Sequence, residues 1–161
     1  MSTGSDTHPW PATADGDFSA AVNAVHDGWR TAMGVRFVHS TADETVAELV
    51  VGAAHLQPLG VVHGGVHAGL VETVASVGAN IAVAPRGQYA VGLENHTSFL
   101  HAVREGTLRA IGRPVHSGRQ SAVWEVNVFD ERGRTVATGR VRLMVIDQGS
   151  SLAGRGAALE G

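Results

Sequence analysis

Residues 66–84 read VHAGLVETVASVGANIAVA, a run that forms either a membrane span or the core helix of a globular domain. It is long and apolar enough to cross a bilayer, since a spanning helix needs roughly 20 apolar residues. However, His67, Glu72, Asn80 and several Gly interrupt it, and no Arg flanks its N-terminal side, which argues against a membrane span. The alternative is a helix over about 64–83, buried within a protein. On a surface helix the apolar residues form the stripe. Here the polar residues do: Glu72, Ser76 and Asn80 are spaced four apart and share one face. Nearly everything else is Val, Ala, Leu, Ile or Gly, and Gly64, Gly65, Ala68, Gly69, Ala75, Gly78 and Ala79 let a neighbouring backbone come close. The prediction is a helix wrapped on most sides by protein, with one narrow polar line.

Strand patterns flank it. Residues 35–40 and 45–51 precede it, joined by a turn at Thr41–Glu44, and 89–99, 107–116, 121–129 and 135–146 follow. Asp130-Glu131-Arg132-Gly133 is a hairpin signal. Val141, Leu143 and Val145 alternate with Arg140, Arg142 and Met144, a period of two with part of one face in water. Short links between the last four strands favour an antiparallel sheet, so the class is α+β. A further short helix is expected over 17–32, where Phe18, Val22, Val25 and Trp29 recur at helical spacing. Residues 1–16 read as a disordered N-terminal tail and 147–161 as a flexible C-terminal tail, leaving one domain over 17–146.

The composition narrows the chemistry. The 161 residues include no Cys, which removes disulfides, thiolate metal sites and Cys nucleophiles. All twelve basic residues are Arg; without Lys there is no Schiff base, no lysine-anchored pyridoxal phosphate and no P-loop Lys. A net charge of −3 argues against general affinity for nucleic acid. The charge is uneven: residues 101–161 hold nine Arg and six acids, which favours a small anionic ligand or is simply scattered surface charge. The first seventeen residues lack a basic signal region, so the expected setting is the cytoplasm, with no membrane partner.

Glu72 is the first candidate for chemistry. Its apolar flanks predict partial desolvation, which makes a carboxylate a better base or nucleophile. The run Leu59-Gly60-Val61-Val62-His63-Gly64-Gly65 stands just before the helix, where free backbone N–H groups could polarise a carbonyl. His63 and His67 are four apart, but a metalloprotease helix would place Glu where Gly64 stands, and no third ligand has a defensible spacing, so no metal is expected. The turn Arg113-Pro114-Val115-His116-Ser117-Gly118-Arg119-Gln120 offers N–H groups, hydroxyls and guanidinium to phosphate. The polar run Asn95-His96-Thr97-Ser98-Phe99 lines a pocket or covers a solvated face.

Gln57, then His63-Gly64-Gly65, then Glu72 and Ser76, in this order, resembles the hotdog-fold acyl-CoA thioesterases. More narrowly, it resembles the branch with Glu on the central helix, which includes 4-hydroxybenzoyl-CoA and 1,4-dihydroxy-2-naphthoyl-CoA thioesterases; the related phenylacetate-pathway thioesterases usually carry Asp. The resemblance runs from about Gly34 to Ile146 and takes in Val91-Gly92-Leu93-Glu94, Arg104-Glu105-Gly106, His116-Ser117-Gly118-Arg119 and Val123-Trp124-Glu125-Val126. It implies a curved antiparallel sheet wrapped around one long helix. It implies hydrolysis of an acyl-CoA thioester without a cofactor, CoA being part of the substrate. Glu72 would attack the carbonyl or activate water, the Gly64 N–H would polarise the carbonyl, and Gln57 and His63 would support that loop. Ser76 would place water or substrate. Gly65, Gly92, Phe99 and His101 would lie near the thioester, and Arg104, His116, Ser117, Gly118, Arg119, Gln120 and Ser121 near CoA. An aryl or fused aromatic acyl group is the first expectation, and a medium aliphatic chain the second. The fold also serves acyl-thioester dehydratases and hydratases, and a non-catalytic acyl-CoA binder is a further alternative.

Gly64 and Glu72 lie eight residues apart, a helical rise of about 12 Å. One thioester carbonyl cannot meet both along one helix, because attack needs a separation of about 3.5 Å. The expectation is therefore a homodimer as the active unit, its two helices antiparallel across a two-fold axis, and a homotetramer by resemblance.

Overall fold

The computed structural model describes residues 10–25 and 28–157. The first nine residues of the expected N-terminal tail and the last four of the C-terminal one lie outside the described residues. Strands β1 (Arg36–Ser40) and β2 (Thr45–Val50) come first, after two short helices, α1 (Ser19–Ala24) and α2 (Gly28–Ala32). The long helix α3 (Gly64–Val83) follows, then β3 (Gln88–Phe99), β4 (Thr107–Ser117), β5 (Ser121–Phe129) and β6 (Thr135–Asp147). The six strands form one antiparallel sheet in the order β1-β2-β4-β5-β6-β3.

The sheet curls around α3, the architecture that the resemblance implies. Alternation makes one face of each central strand apolar: β5 buries Ala122, Trp124, Val126 and Val128, and β6 buries Val141, Leu143 and Val145. Against them α3 packs Leu70, Val71, Val74, Ala75 and Ile81, all fully enclosed. Each large aliphatic side chain so buried contributes about 1.5–3 kcal/mol. Close approach is bought by missing side chains: a Cβ at Gly78 would stand 2.2 Å from the Trp124 ring. Among the described residues, the one helix long and apolar enough to span a membrane, by length and composition, is this core helix.

Two expectations change. The predicted helix over 17–32 arrives as two pieces, because Val25 takes an extended conformation (ψ 131°) and stops the first. The expected C-terminal tail carries structure: β6 runs to Asp147, and β7 (Ser151–Leu152) pairs with β8 (Arg155–Gly156) in a small hairpin. Gly149 N–H donates to the Ala157 carbonyl and Gln148 N–H to that of Gly87, which ties the hairpin to the end of the core. At the other end Trp10 is half-buried against the core.

Candidate active site

The loop before α3 is a stapled turn. Gln57 N–H donates to the Val61 carbonyl, Gly60 N–H to that of Gln57, and Gly60 has φ +71°, the left-handed region that glycine tolerates. The Gln57 side-chain oxygen accepts from Leu59 N–H at 3.0 Å. The Arg104 guanidinium donates to the Leu59 and Gly60 carbonyls at 3.1 and 3.0 Å. Arg104, expected near CoA phosphate, is thus engaged at least partly in holding the loop.

The loop delivers the chain into α3. His63 is the N-cap: its Nδ1 accepts from Gly65 N–H at 2.8 Å, so the neutral ring carries its proton on Nε2. Val66 N–H goes to the His63 carbonyl. The Gly64 N–H, first of the helix, has no intrahelical acceptor. Phe99 lies against Gly64, where a Cβ would stand 2.6 Å from the ring. Gln57, His63, Gly64, His67, Phe99 and His101 line an open cleft of about 510 Å³. His67 is buried, with its ring 5.9 Å from that of Phe99. Its Nδ1 has no hydrogen-bond partner among the described residues. Burial pushes its pKa below the ordinary value, so the imidazole is held neutral.

Further along α3 the polar line faces the edge strand β3. Asn80 fixes the contact: its amide donates to the Ala90 carbonyl at 2.9 Å and its oxygen accepts from Ala90 N–H at 3.0 Å. Glu72, half-buried, accepts from the Asn95 amide at 2.9 Å and from the Ser76 hydroxyl at 3.4 Å. Its carboxylate lies where a side chain of residue 92 would be, 2.2 Å from a Cβ built on Gly92. Gly92, expected near the thioester, is the position that makes room for the carboxylate. Asn95 also donates to the Ala68 carbonyl and accepts from the Thr97 hydroxyl, so its amide is oriented from both sides.

Sequence reasoning placed Asn95 in a polar run and gave it no role. The reason is a bulge. Gly92 pairs with Leu143 and Glu94 with Arg142, leaving Leu93 as an extra residue. Strict alternation puts residues 92 and 95 on opposite faces; the bulge brings both under Glu72.

The β4–β5 turn forms the third group. His116, Ser117, Arg119 and Gln120 are exposed, and Gly118 N–H donates to the Ser121 carbonyl at 2.8 Å. Ser121 pairs with Met144, which pairs with Val91, so the end of the turn stands level with Val91, next to Gly92 and two strands away. Elsewhere in the basic third, Arg109, Arg113, Arg134, Arg140 and Arg142 are paired with carboxylates, the scattered-charge reading of that region.

The structure therefore groups the expected residues in three places: a glycine cleft, a carboxylate on an open edge, and an exposed turn. Among the described residues no three His, Asp or Glu side chains converge as a metal site would require.

The family model of the thioesterase superfamily matches residues 59–137, which hold the helix, the carboxylate and the cleft apart from Gln57 and Pro58. The chain is 38% identical to the proofreading thioesterase EntH of Klebsiella pneumoniae over 128 residues, 79% of this chain and 93% of that protein. The chain belongs to the thioesterase superfamily. It is also 32% identical to the 1,4-dihydroxy-2-naphthoyl-CoA hydrolase of Escherichia coli over 127 residues, 78% of this chain and 93% of the relative. The crystal structure of a mutant thioesterase from Pseudomonas aeruginosa superposes with a TM-score of 0.76 at 27% identity, over 85% of this chain and 97% of the other. The fold is the hotdog fold, and the chain is a thioester hydrolase. Acyl-CoA thioesters are the substrate class that this placement supports.

Proposed function

We propose that this thioesterase hydrolyses acyl-CoA at a site built from two copies of the chain, with Glu72 as nucleophile or general base and the Gly64 N–H on the thioester oxygen. The observation that carries this reading is the Glu72 carboxylate, seated over Gly92 and held by Asn95 beside an open sheet edge. As a base, Glu72 takes a proton from water as the water oxygen bonds to the carbonyl carbon. The oxyanion collects charge at the start of α3, where the helix N-terminus favours it. Collapse breaks the C–S bond, and the proton passes from Glu72 to the leaving thiolate. As nucleophile, the carboxylate bonds to the carbonyl carbon, the C–S bond breaks to release the CoA thiolate, and water then cleaves the mixed anhydride, freeing the acid and Glu72 and giving a proton to the thiolate. Either route runs on this chain's own side chains and calls for no metal or cofactor.

Two features support a composite site. Glu72 and Gly64 are separated by about 12 Å of straight helix. Asn95, on Glu72, and Phe99, on Gly64, are four strand residues apart, about 13 Å. In addition, β3 is twelve residues long, sits at the sheet edge and exposes most of its length, Leu93 included. Such an edge invites pairing with another chain. Pairing of β3 with β3 across a two-fold axis would run the two α3 helices antiparallel and bring Glu72 of one protomer toward Gly64 of its partner. We place the assembly as a homodimer that pairs again into a homotetramer, in the cytoplasm. Gln57 and His63 hold the loop, Ser76 helps to orient water, Gly65, Phe99 and His101 line the way to the thioester, and the turn from His116 to Ser121 meets CoA. Similarity to the naphthoyl-CoA hydrolase favours an aryl or fused aromatic acyl group.

The test is release of free CoA from a panel of aryl and aliphatic acyl-CoAs, read with a thiol reagent. Release of thiol with the free acid supports the reading. Hydration of an enoyl thioester without thiol release would make the protein a hydratase, and binding without turnover would make it a carrier.

A further inference from the structure

A second cavity, of about 340 Å³, lies on the far side of the carboxylate from the cleft. Its floor is the next turn of α3, Ser76, Val77 and Asn80, and one wall is the start of β3 at Tyr89. The remaining walls come from the two ends of the chain: Trp10, Val22 and the buried Arg30, whose guanidinium donates to the Val25 carbonyl, on one side, and Leu152 and Ala157 on the other. Trp10, Val22, Leu152 and Ala157 all fall outside residues 59–137, the part shared with the family model.

These walls are tied down. The Asn23 amide donates to the Phe37 carbonyl at 2.8 Å and its oxygen accepts from Phe37 N–H at 3.0 Å, which clamps α1 onto β1. The small C-terminal hairpin closes on itself through Ala157 N–H to the Ser150 carbonyl at 2.7 Å. The cavity also connects to the chemistry, because Ser76 lines it while donating to Glu72.

Resting on the thioesterase reading above, we propose that this cavity receives the acyl group of the thioester, and that Trp10 and Leu152 set the size it accepts. About 340 Å³ holds roughly eleven groups at ~30 Å³ each, the liquid volume of a water. The walls are largely hydrocarbon and aromatic, and a charged tail would lose its hydration there. The acyl group is therefore predominantly apolar, with about ten non-hydrogen atoms by the same ~30 Å³ scale. A fused ring and a medium straight chain share that chemistry, and the substrate panel separates them.

The experiment measures kcat/KM for straight-chain acyl-CoAs from acetyl to palmitoyl, with benzoyl- and naphthoyl-CoA beside them. Wild type should gain up to about fourfold per added methylene until the cavity is full, near ten carbons, and lose beyond it. Preference for a ring of the same volume supports the same assignment. Leu152→Trp should cut the decanoyl-to-acetyl ratio at least tenfold, roughly two methylenes' worth. Trp10→Ala should move the optimum to longer chains. Thermal melts confirm that both variants fold. Unchanged length profiles in both would overturn the assignment, as would a wild type indifferent to length. The same comparison by calorimetry on Glu72→Ala separates the two readings. If no protein releases thiol, but decanoyl-CoA binds more tightly than acetyl-CoA and Leu152→Trp removes the difference, the hydrolysis reading falls and the cavity assignment stands.

Discussion

The glycine cleft and the carboxylate edge sit on the same helix, yet they are built in opposite ways. The cleft is local: residues 57–65 fold on themselves, cap the helix through His63, and borrow Arg104 and Val62-to-Val103 pairing as staples. The carboxylate site is long-range: Glu72 depends on Gly92 and Asn95, twenty and twenty-three residues away on an edge strand. The cleft supplies backbone N–H groups and three imidazoles but no carboxylate. The edge supplies a carboxylate and no such donors. Each half lacks what the other has, and the straight helix keeps them apart, so one chain holds two half-sites rather than one site.

This difference orders the expected effects of substitution. The largest falls on Glu72. Glu72→Ala should lower kcat by at least about 100-fold, the low end for general-base catalysis. The fold should survive, since Glu72 is only half-buried and stands outside the apolar core. Near-normal turnover would make the carboxylate edge irrelevant to the chemistry.

Asn95 comes next. Its amide gives Glu72 a 2.9 Å hydrogen bond and orients it without touching the cleft. A hydrogen bond to a charged group contributes about 1.5–3 kcal/mol, so Asn95→Ala should cost kcat roughly tenfold or more. KM should change much less. If KM rose instead with kcat intact, Asn95 would be a substrate contact.

Arg119 should have a smaller effect, confined to binding. It is exposed on the β4–β5 turn, where a phosphate pair contributes about 0.2–1 kcal/mol. Arg119→Ala should raise KM about two- to fivefold, and added salt should erase the difference. A loss in kcat alone would move Arg119 into the chemistry.

The smallest effect is on stability, and it belongs to the cleft. Burial holds the His67 pKa below its ordinary value. As pH drops below about 6.5, the usual imidazole pKa, the unfolded chain takes up a proton that the folded chain does not. Folding stability should therefore fall with acidification through this window and level off below the folded-state pKa. His67→Leu should show a flatter dependence when melting temperatures of the two proteins are compared across pH. Parallel curves would mean that the ring titrates freely in the folded protein.

The two halves also differ in how far the sequence revealed them. The cleft was legible because its residues are consecutive: glycine, a capping His and a helix start all lie between 57 and 65. The helix and its polar line were legible because burial inverted the usual amphipathic pattern. The strands were placed to within a residue or so by their alternation. Half of the carboxylate site was not. Glu72 stood out, but Asn95 did not, because the bulge at Leu93 resets which residues face the helix, and pairing register is not written in one strand alone. The hairpin at 151–156 was missed for a different reason. Gly149 and Gly154 suggest a loose tail by composition, while their positive φ angles serve turns that return the chain to the core.

The claim that the two halves meet only across a dimer is open to direct complementation. Two inactive variants are needed, one for each half. Glu72→Ala removes the carboxylate. Gly64→Pro removes the N–H at a position where proline suits the helix start, with half-exposed Phe99 swinging aside to admit the ring. Refolded together in equal amounts, unbiased pairing makes half of the dimers mixed. Each mixed dimer then carries one site with both defects and one with neither. Activity should return to about a quarter of wild type, by the symmetry of an isologous dimer. If each site lay within one chain, every site would keep a defect, and activity near zero from a sample shown to contain mixed dimers would contradict the account.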